Sequence, residues 1–278
     1  STRKESSAAS DVYKRQSFVY EKRRQKGAVY NVYAAADIKR ADGTVVYKQG
    51  ALVKENFTTG DDGSATLKGL YLGTYRVTEM KAPTNLICAG ESKEVTLSYA
   101  GQNVEVAVGD LTFVNDRQKA KVFAEKQDKD TKKPLAGAVF GLYAGKDIKN
   151  QDGQVVVVKD TLIAKATTDE MGSGAFAADL PNNNSYYVKE LQAPANYFRN
   201  SDEVYSFDFL YTNDKEATVS FSHTFSNEHV SASIHLVKKD KETGNVTQGD
   251  AKFAGAVYGV YARENIAHPD GNSGCLLY

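Results

Sequence analysis

The stretch YYVKELQAPANY, residues 186–197, and its counterpart TYRVTEMKAPTNL, residues 74–86, decide the fold class. Both begin with aromatic and β-branched residues that alternate with polar ones, which is the pattern of a half-buried β-strand. Because side chains return to the same face at every second residue, Glu190 shares the apolar face of its strand, and Glu79 does the same in the counterpart. Carboxylates are almost never buried without a partner. The two strands therefore each predict a polar site inside an apolar core.

The composition is that of a globular protein rich in β structure. Hydrophobic residues make up 41% of the 278 residues and charged residues 25%, and the many Tyr, Phe, Val and Thr favour strands. The 35 basic side chains balance 35 acidic ones, so no field of one sign would draw the chain to nucleic acid or to an anionic membrane. No apolar run approaches the length of a membrane span. The two cysteines, Cys88 and Cys275, cannot form a disulfide framework.

An internal repeat is the strongest signal in the chain. GAVYNVYAAADIKRADG at residues 27–43 matches GAVFGLYAGKDIKNQDG at residues 137–153 and GAVYGVYARENIAHPDG at residues 255–271. The period of about 110 residues is the size of one compact domain rather than of one solenoid unit. The sequence therefore predicts tandem domains.

The repeats set the expected boundaries. We predict a first domain at residues 17–118, a second at 119–230, and a third at 231–278 that is truncated. Residues 1–16 are polar and aperiodic, and DVYKRQ and the final CLLY resemble sequencing read-through. We expect the leader to be disordered or artefactual and the last residues, including Cys275, to be artefactual as well.

Turn signals indicate the architecture within each repeat. The stretches ADGT, QDGQ and PDGN carry the Asp-Gly pair that tight hairpin turns prefer, and longer glycine-rich loops follow. Short strands at this spacing are typical of β-sandwiches. We therefore predict an all-β chain of tandem Ig-like sandwiches.

Each repeat also offers a lysine on its opening strand, and the complete repeats offer an asparagine on their closing strand. The lysines are Lys22, Lys126 and Lys238, on opening strands predicted at residues 18–22, 122–126 and 234–238. The asparagines are Asn115 and Asn227, on closing strands predicted at residues 111–116 and 223–228. By strand parity they face the same side as the apolar residues. Each has an ordinary explanation when taken singly, since terminal lysines extend to water, exposed Lys–Glu pairs are weak, and Asn is common in turns. Their repetition in one order favours a shared site.

These motifs resemble the CnaB-type, SpaA-like domains of Gram-positive surface proteins and pilins, which have a prealbumin-like fold. The pattern YxVxExxAP resembles the pilin E-box, and KxDxxTxxPLAGAVFxLY at residues 126–143 resembles the opening strand of that family. The resemblance covers nearly all of residues 17–271. It implies intramolecular isopeptide bonds between Lys and Asn that a Glu promotes.

In the second domain the resemblance places this bond between Lys126 and Asn227, with Glu190 as the catalytic residue. In the first domain it places Asn115 and the catalytic Glu79, with Lys22 as the candidate lysine. Lys22 stands five residues before its GAVY strand, whereas Lys126 stands eleven before the equivalent strand. A shortened hairpin and a loss of the true lysine both explain this difference. The third repeat keeps Lys238 without a Glu or Asn strand, so that lysine should remain unpaired.

The chemistry of such a bond suits a buried site. Desolvation lowers the pKa of a lysine toward the neutral, nucleophilic amine, and it raises the pKa of a carboxyl group. We expect the protonated glutamate to donate to the asparagine carbonyl oxygen while the amine attacks and ammonia leaves. The protein would be its own single-turnover substrate and otherwise not an enzyme. It would need no cofactor and no metal.

The expected role is structural. The resemblance implies a stalk or backbone segment of a cell-wall-anchored adhesin or pilus-like protein, extracellular, with neighbouring repeats as partners and host matrix proteins or glycans as further candidates. The alternative is a ligand-binding β-sandwich module, because such sandwiches bind ligands through loops and faces. We expect His223, His229 and His235 to be solvated, since they lack metal-site spacing. Cys88 should be a small buried hydrophobe.

Overall fold

The computed structural model of the chain describes residue 18 and residues 23–244 and 252–269. The first unit contains six described strands. They are, in chain order, β1 (Val29–Ala34), β2 (Ile38–Lys39), β3 (Val45–Tyr47), β4 (Leu52–Thr58), β5 (Gly73–Lys81) and β6 (Ser92–Leu97).

Four of these strands form an antiparallel sheet in the order β4-β1-β5-β6. Alternation decides which face is buried, because Tyr30, Val32 and Ala34 of β1 point into the core while the residues between them are only partly buried. The strands β2 and β3 form a hairpin around the predicted Asp-Gly turn. Gly43 has a φ of 85° there, a left-handed conformation that glycine adopts without strain. The predicted hairpin is thus confirmed.

The second unit contains nine strands. They are β7 (Lys119–Asp128), β8 (Val139–Ala144), β9 (Ile148–Lys149), β10 (Val155–Val157), β11 (Leu162–Thr167), β12 (Ser173–Ala175), β13 (Asn184–Gln192), β14 (Val204–Phe209) and β15 (Thr218–Asn227).

Two sheets face each other in this unit. One has the order β11-β8-β13-β14 and the other β12-β7-β15, and apolar side chains such as Phe140, Leu142, Val188 and Phe225 fill the space between them. The closing strand β15 runs parallel to the opening strand β7 over ten residue pairs. The beginning and the end of the unit therefore lie side by side, and the predicted all-β sandwich is confirmed.

The second sheet of the first unit is not formed among the described residues. The sequence predicted a closing strand at residues 111–116, but this segment has no strand, although Leu111, Phe113 and Asn115 keep the alternating half-buried pattern. A strand exists only where a neighbour supplies hydrogen bonds, and the predicted opening strand falls on residues 18–22, of which only Phe18 is described. The first unit consequently has the smaller buried core.

The described part of the third repeat, residues 231–244 and 252–269, contains no strand. The strand predicted at residues 234–238 is therefore wrong, and Lys238 is exposed. Val257 and Tyr261 are 94% and 90% exposed. The physical reason is that the described residues of the third repeat include no counterpart of β13 and β15 against which its other segments could pack.

Directional hydrogen bonds join the first unit to the second. The Arg117 guanidinium donates to the backbone oxygens of Leu180 (2.5 Å) and Asp179 (3.1 Å) and forms an ion pair with the Asp179 carboxylate. The Tyr211 hydroxyl donates to the backbone oxygen of Leu86 at 3.2 Å. The junction is therefore fastened by side chains as well as by the chain.

Gly172 supports the opening strand of the second unit, and its replacement should destabilise that unit. Its φ is 74°, and a Cβ atom there would lie 2.4 Å from the backbone oxygen of Lys126. Gly153 has a φ of 82° with no atom within 4 Å of such a Cβ. We expect Gly153→Ala to cost about 1 kcal/mol of unfolding free energy and Gly172→Ala roughly 2–4 kcal/mol, measured by urea unfolding. Equal costs would contradict the close packing at Gly172.

Candidate functional site

The three polar residues predicted in the second unit lie together in its core. Lys126 stands near the end of β7, Glu190 near the end of β13 and Asn227 at the end of β15. Each follows buried apolar residues at spacings of two, so the pleat turns all three inward. Their exposed fractions are 2%, 2% and 1%. The parallel pairing of β7 with β15 brings Lys126 and Asn227 to one end of the sheet, opposite Glu190.

The three side chains form a closed triangle of polar contacts. The Lys126 Nζ atom donates to Asn227 Oδ1 at 2.5 Å and lies 3.1 Å from Glu190 Oε1. The Asn227 Nδ2 group donates to Glu190 Oε1 at 2.9 Å and to Oε2 at 3.1 Å. Buried polar groups need such partners, and here the three satisfy one another.

Aromatic rings surround the triangle. Lys126 Nζ lies 5.7 Å from the centre of the Phe140 ring, whose centroid is 4.7 Å from that of Phe225. Phe140 is also the cross-strand partner of Glu190. Burial lowers the pKa of Lys126, although the nearby Glu190 carboxylate opposes that shift. Burial therefore shifts the Lys126 ammonium in the direction of the neutral amine that a nucleophile requires.

The orientation of Asn227 differs from the sequence expectation. We expected Glu190 to donate to the asparagine carbonyl oxygen, but that oxygen faces Lys126, and Glu190 accepts from the amide NH₂ group. An ammonium can only donate, and a carboxylate accepts, so this arrangement satisfies both. As a result one oxygen, Glu190 Oε1, lies beside both the lysine nitrogen and the asparagine nitrogen.

The first unit has part of the same arrangement. Asn115 Nδ2 donates to Glu79 Oε2 at 2.7 Å and to the backbone oxygen of Ile87 at 3.0 Å. Glu79 is buried, and its Oε1 atom has no hydrogen-bond partner among the described residues. Burial raises the pKa of Glu79, against the opposing effect of the Asn115 hydrogen bond. The candidate lysine, Lys22, lies outside the described residues.

Sequence reasoning missed two supports of the site in the second unit. The backbone N–H of Asn200 donates to Glu190 Oε2 at 3.2 Å. Asp128, two residues after Lys126 on the same face, is also buried and accepts a hydrogen bond from the Tyr197 hydroxyl at 2.8 Å. Strand parity could have revealed Asp128, whereas no sequence signal points to the contact with Asn200.

The predictions for the cysteine and the histidines have mixed outcomes. Cys88 is buried, as predicted. His223 is not simply solvated, because its Nε2 atom lies 3.0 Å from Glu203 Oε1 and its ring stacks on Tyr205 at 4.9 Å. His235 is exposed, as predicted, and His229 is only partly exposed.

Comparison with known proteins identifies the family. A family model described as SpaA, prealbumin-like fold domain, matches residues 21–112 and 120–224, which is more than half of the chain. The chain belongs to the SpaA prealbumin-like fold domain family. A search of curated proteins finds no match.

Solved structures with similarity to this chain include surface proteins. The Bacillus anthracis TIE protein is 27% identical with a TM-score of 0.47, and the match covers 76% of this chain and 32% of that one. The shaft pilin spaA of Lactobacillus rhamnosus GG is 15% identical with a TM-score of 0.29, covering 78% and 94% of the two chains. A streptococcal ancillary pilin is 21% identical with a TM-score of 0.26, covering 74% and 58%. This chain thus spans about a third of the TIE protein.

Membership of this family indicates a structural role in a pilus or surface protein. Within the part of the chain that the structure describes, no helix combines the length and hydropathy needed for a membrane crossing.

The raised pKa of Glu79 predicts how the stability of the first unit depends on pH. A carboxyl group whose pKa is raised by folding stabilises the folded state below its unfolded pKa of about 4.3, and this contribution is lost as the pH rises through the folded value. We expect the urea midpoint of wild type relative to Glu79→Gln to fall as the pH rises through this window. Circular dichroism during urea unfolding measures it. A difference independent of pH would show that folding does not perturb Glu79.

Proposed function

We propose that this chain is a structural stalk or backbone segment of a Gram-positive, cell-wall-anchored adhesin or pilus-like protein, locked by autocatalytic Lys–Asn isopeptide bonds. The single observation that carries the proposal is the buried triangle of Lys126, Glu190 and Asn227. It joins the opening strand of a domain to its closing strand.

The proposed reaction needs only these three side chains. The neutral Lys126 amine attacks the side-chain carbonyl carbon of Asn227, and the Nζ–Cγ bond forms. Glu190 Oε1, 3.1 Å from Nζ and 2.9 Å from Nδ2, takes a proton from the attacking nitrogen and passes it to the departing one. The Cγ–Nδ2 bond breaks and ammonia leaves, so one amine and one carboxamide become a secondary amide. The reaction runs once in each domain and makes the protein no enzyme in the ordinary sense.

The product would close nearly the whole second unit into one loop. Lys126 and Asn227 are 101 residues apart in sequence and lie on adjacent parallel strands. In the loop-entropy account, a cross-link around about 100 residues stabilises a fold by roughly 4–5 kcal/mol. Such a bond also needs no cysteine and resists reductants, which suits an extracellular protein whose two cysteines form no framework.

We propose the same lock in the first unit, between Lys22 and Asn115 with Glu79 as catalyst. The support is that Glu79 Oε1 is buried and without a partner among the described residues, whereas Oε1 of the corresponding glutamate in the second unit, Glu190, lies 3.1 Å from Lys126 Nζ. Lys238 of the third repeat would remain a free amine in this chain.

The tandem arrangement supports the stalk role. The proposed partners are neighbouring repeats, because Arg117 and Tyr211 form hydrogen bonds across the first junction. We propose that the protein lies outside the cell, in the wall or on the surface. Its membership of the SpaA family supports this location.

The intact mass of the chain tests the proposed bonds. We expect wild type to be lighter than its calculated mass by one ammonia for each bond, and Glu190→Ala to regain one of them. A loss of two ammonia molecules would assign the second bond to the first unit, and a cross-linked proteolytic peptide would identify its lysine.

Glu125→Ala is the matched control, because Glu125 is a half-buried carboxylate of the same unit that lies on the opposite face of β7 from Lys126 and accepts a hydrogen bond from the Ser173 hydroxyl at 2.9 Å. Its mass deficit should equal that of wild type. A wild-type mass equal to the calculated one would reduce the triangle to a polar cluster, and ligand binding by the sandwich would become the better hypothesis.

Stretching single molecules tests the mechanical role. A bond between Lys126 and Asn227 shields 101 residues from extension, which corresponds to about 330–360 Å of extended chain. We expect Glu190→Ala to release this additional length on unfolding and Glu125→Ala not to do so. Equal contour lengths in wild type and Glu190→Ala would contradict a covalent lock.

A further inference from the structure

A second group of titratable side chains lies at the end of the second unit, outside the isopeptide triangle. Asp130, His229 and His268 each direct one ligand atom to a common point, with all three atoms within 4.8 Å of one another. We call these three residues the junction cluster. They come from three distant segments, namely the loop after β7, the residues after β15 and the third repeat.

We propose that the junction cluster binds one divalent cation with the ligand preferences of Zn²⁺, and that this cation ties the third repeat to the second unit. Imidazole nitrogens and a carboxylate oxygen are the donors that Zn²⁺ takes from proteins. This inference goes beyond the proposed stalk function and does not depend on the isopeptide bonds. It departs from the sequence expectation of no metal, because His268 is far from the other two in sequence.

His229 is oriented for such a role. Its Nδ1 atom lies 3.4 Å from the backbone oxygen of Val230, and its Nε2 atom lies 3.9 Å from Asp130 Oδ2. A backbone carbonyl at one ring nitrogen fixes the tautomer and leaves the lone pair of the other for a metal. The backbone N–H of Val230 in turn donates to the Asn196 oxygen at 2.9 Å, which holds this segment in place.

His268 lies beside the buried carboxylate of Asp128. The His268 Nδ1 atom lies 3.8 Å from Asp128 Oδ2, and both side chains are buried. Asp128 is itself fixed, because it accepts hydrogen bonds from the Tyr197 hydroxyl and from the backbone N–H of Asp130. A buried carboxylate behind a histidine is the usual outer support of a metal ligand. The same hydrogen bond to Asp130 shapes the loop that carries the third donor.

The dimensions suit a tetrahedral cation after a small contraction. Zinc–nitrogen bonds of about 2.0–2.1 Å place tetrahedral donors roughly 3.4 Å apart, so atoms up to 4.8 Å apart must approach by at most about 1.4 Å. The His229 and His268 rings meet edge to face, with centroids 5.1 Å apart. The Asp130 side chain is 66% exposed, which leaves it free to rotate and gives an ion an entry path. Three protein donors would leave the fourth position to water.

The position of His229 in the repeat supports a clamping role. Residues 86 and 117 form an isolated antiparallel bridge at the first junction, and residues 197 and 229 form the equivalent bridge at the second. His229 thus occupies the place of Arg117, which fastens the first unit to the second through Asp179. At the second junction a cation would fasten the third repeat to the second unit, as the Arg117–Asp179 ion pair fastens the first unit to the second.

Calorimetric titration of the full, tag-free chain with Zn²⁺ tests the proposal. We expect saturable binding of one ion per chain, and about tenfold or greater loss of affinity in His229→Ala and in His268→Ala. His235→Ala is the matched control, since His235 is exposed and lies between the two in sequence. Its affinity should equal that of wild type.

Limited proteolysis separates a clamp from a simple surface site. If the cation ties the repeats together, Zn²⁺ should slow cleavage within residues 231–244 in wild type and in His235→Ala but not in His268→Ala. Absence of saturable binding, unchanged affinity in His268→Ala, or half an ion per chain would each overturn the proposal. Retained circular dichroism and an unchanged mass deficit in the variants would show that neither the fold nor the isopeptide chemistry had been altered.

Discussion

The mutual satisfaction of Lys126, Glu190 and Asn227 in an apolar core is the constraint on which the second unit depends. An ammonium or a carboxylate left alone in this environment would be costly, and removing one partner of a buried ion pair typically costs about 3–5 kcal/mol. The three strands that carry these residues must therefore meet in one register. β7 and β15 meet as parallel neighbours, and β13 delivers Glu190 from the facing sheet. Conversion of the ammonium to an amide would remove one buried charge and keep an N–H donor for Glu190.

Much of this arrangement can be predicted from local patterns in the sequence. Period-two alternation identified β7, β13 and β15 and the inward direction of their polar residues, because a one-residue shift would have exposed every apolar side chain on those strands. The Asp-Gly pairs located the short hairpins for a similarly local reason. Parity does not reveal which strands are neighbours, so the adjacency of β7 and β15 was implied only by the resemblance that placed a Lys126–Asn227 bond, and their parallel direction was not predicted. The rotation of the Asn227 amide depends on atoms from two other strands. We expected its oxygen to face Glu190, whereas it faces Lys126.

The two wrong strand predictions share one cause, which is that a strand forms only where a second strand supplies its hydrogen bonds. The segment at residues 111–116 keeps its alternation but forms no ladder among the described residues, and the lysine-bearing segment of the third repeat behaves likewise. In both places the local pattern is intact and no partner strand lies among the described residues. Glu79 is informative in this respect, because its buried position persists while one of its oxygens has no described partner.

The two kinds of contact in this chain resist different deformations. The proposed covalent bond between β7 and β15 would carry tension directly from the start of a unit to its end, since the two strands are adjacent and parallel. The junctions bear the same tension through the main chain, so their side-chain contacts add nothing to extensional strength. What Arg117 adds at the first junction, and what the junction cluster would add at the second, is resistance to bending of one unit against the next. A stalk needs both properties, and under the proposed function this chain would separate them between the core of a domain and the contacts at its ends.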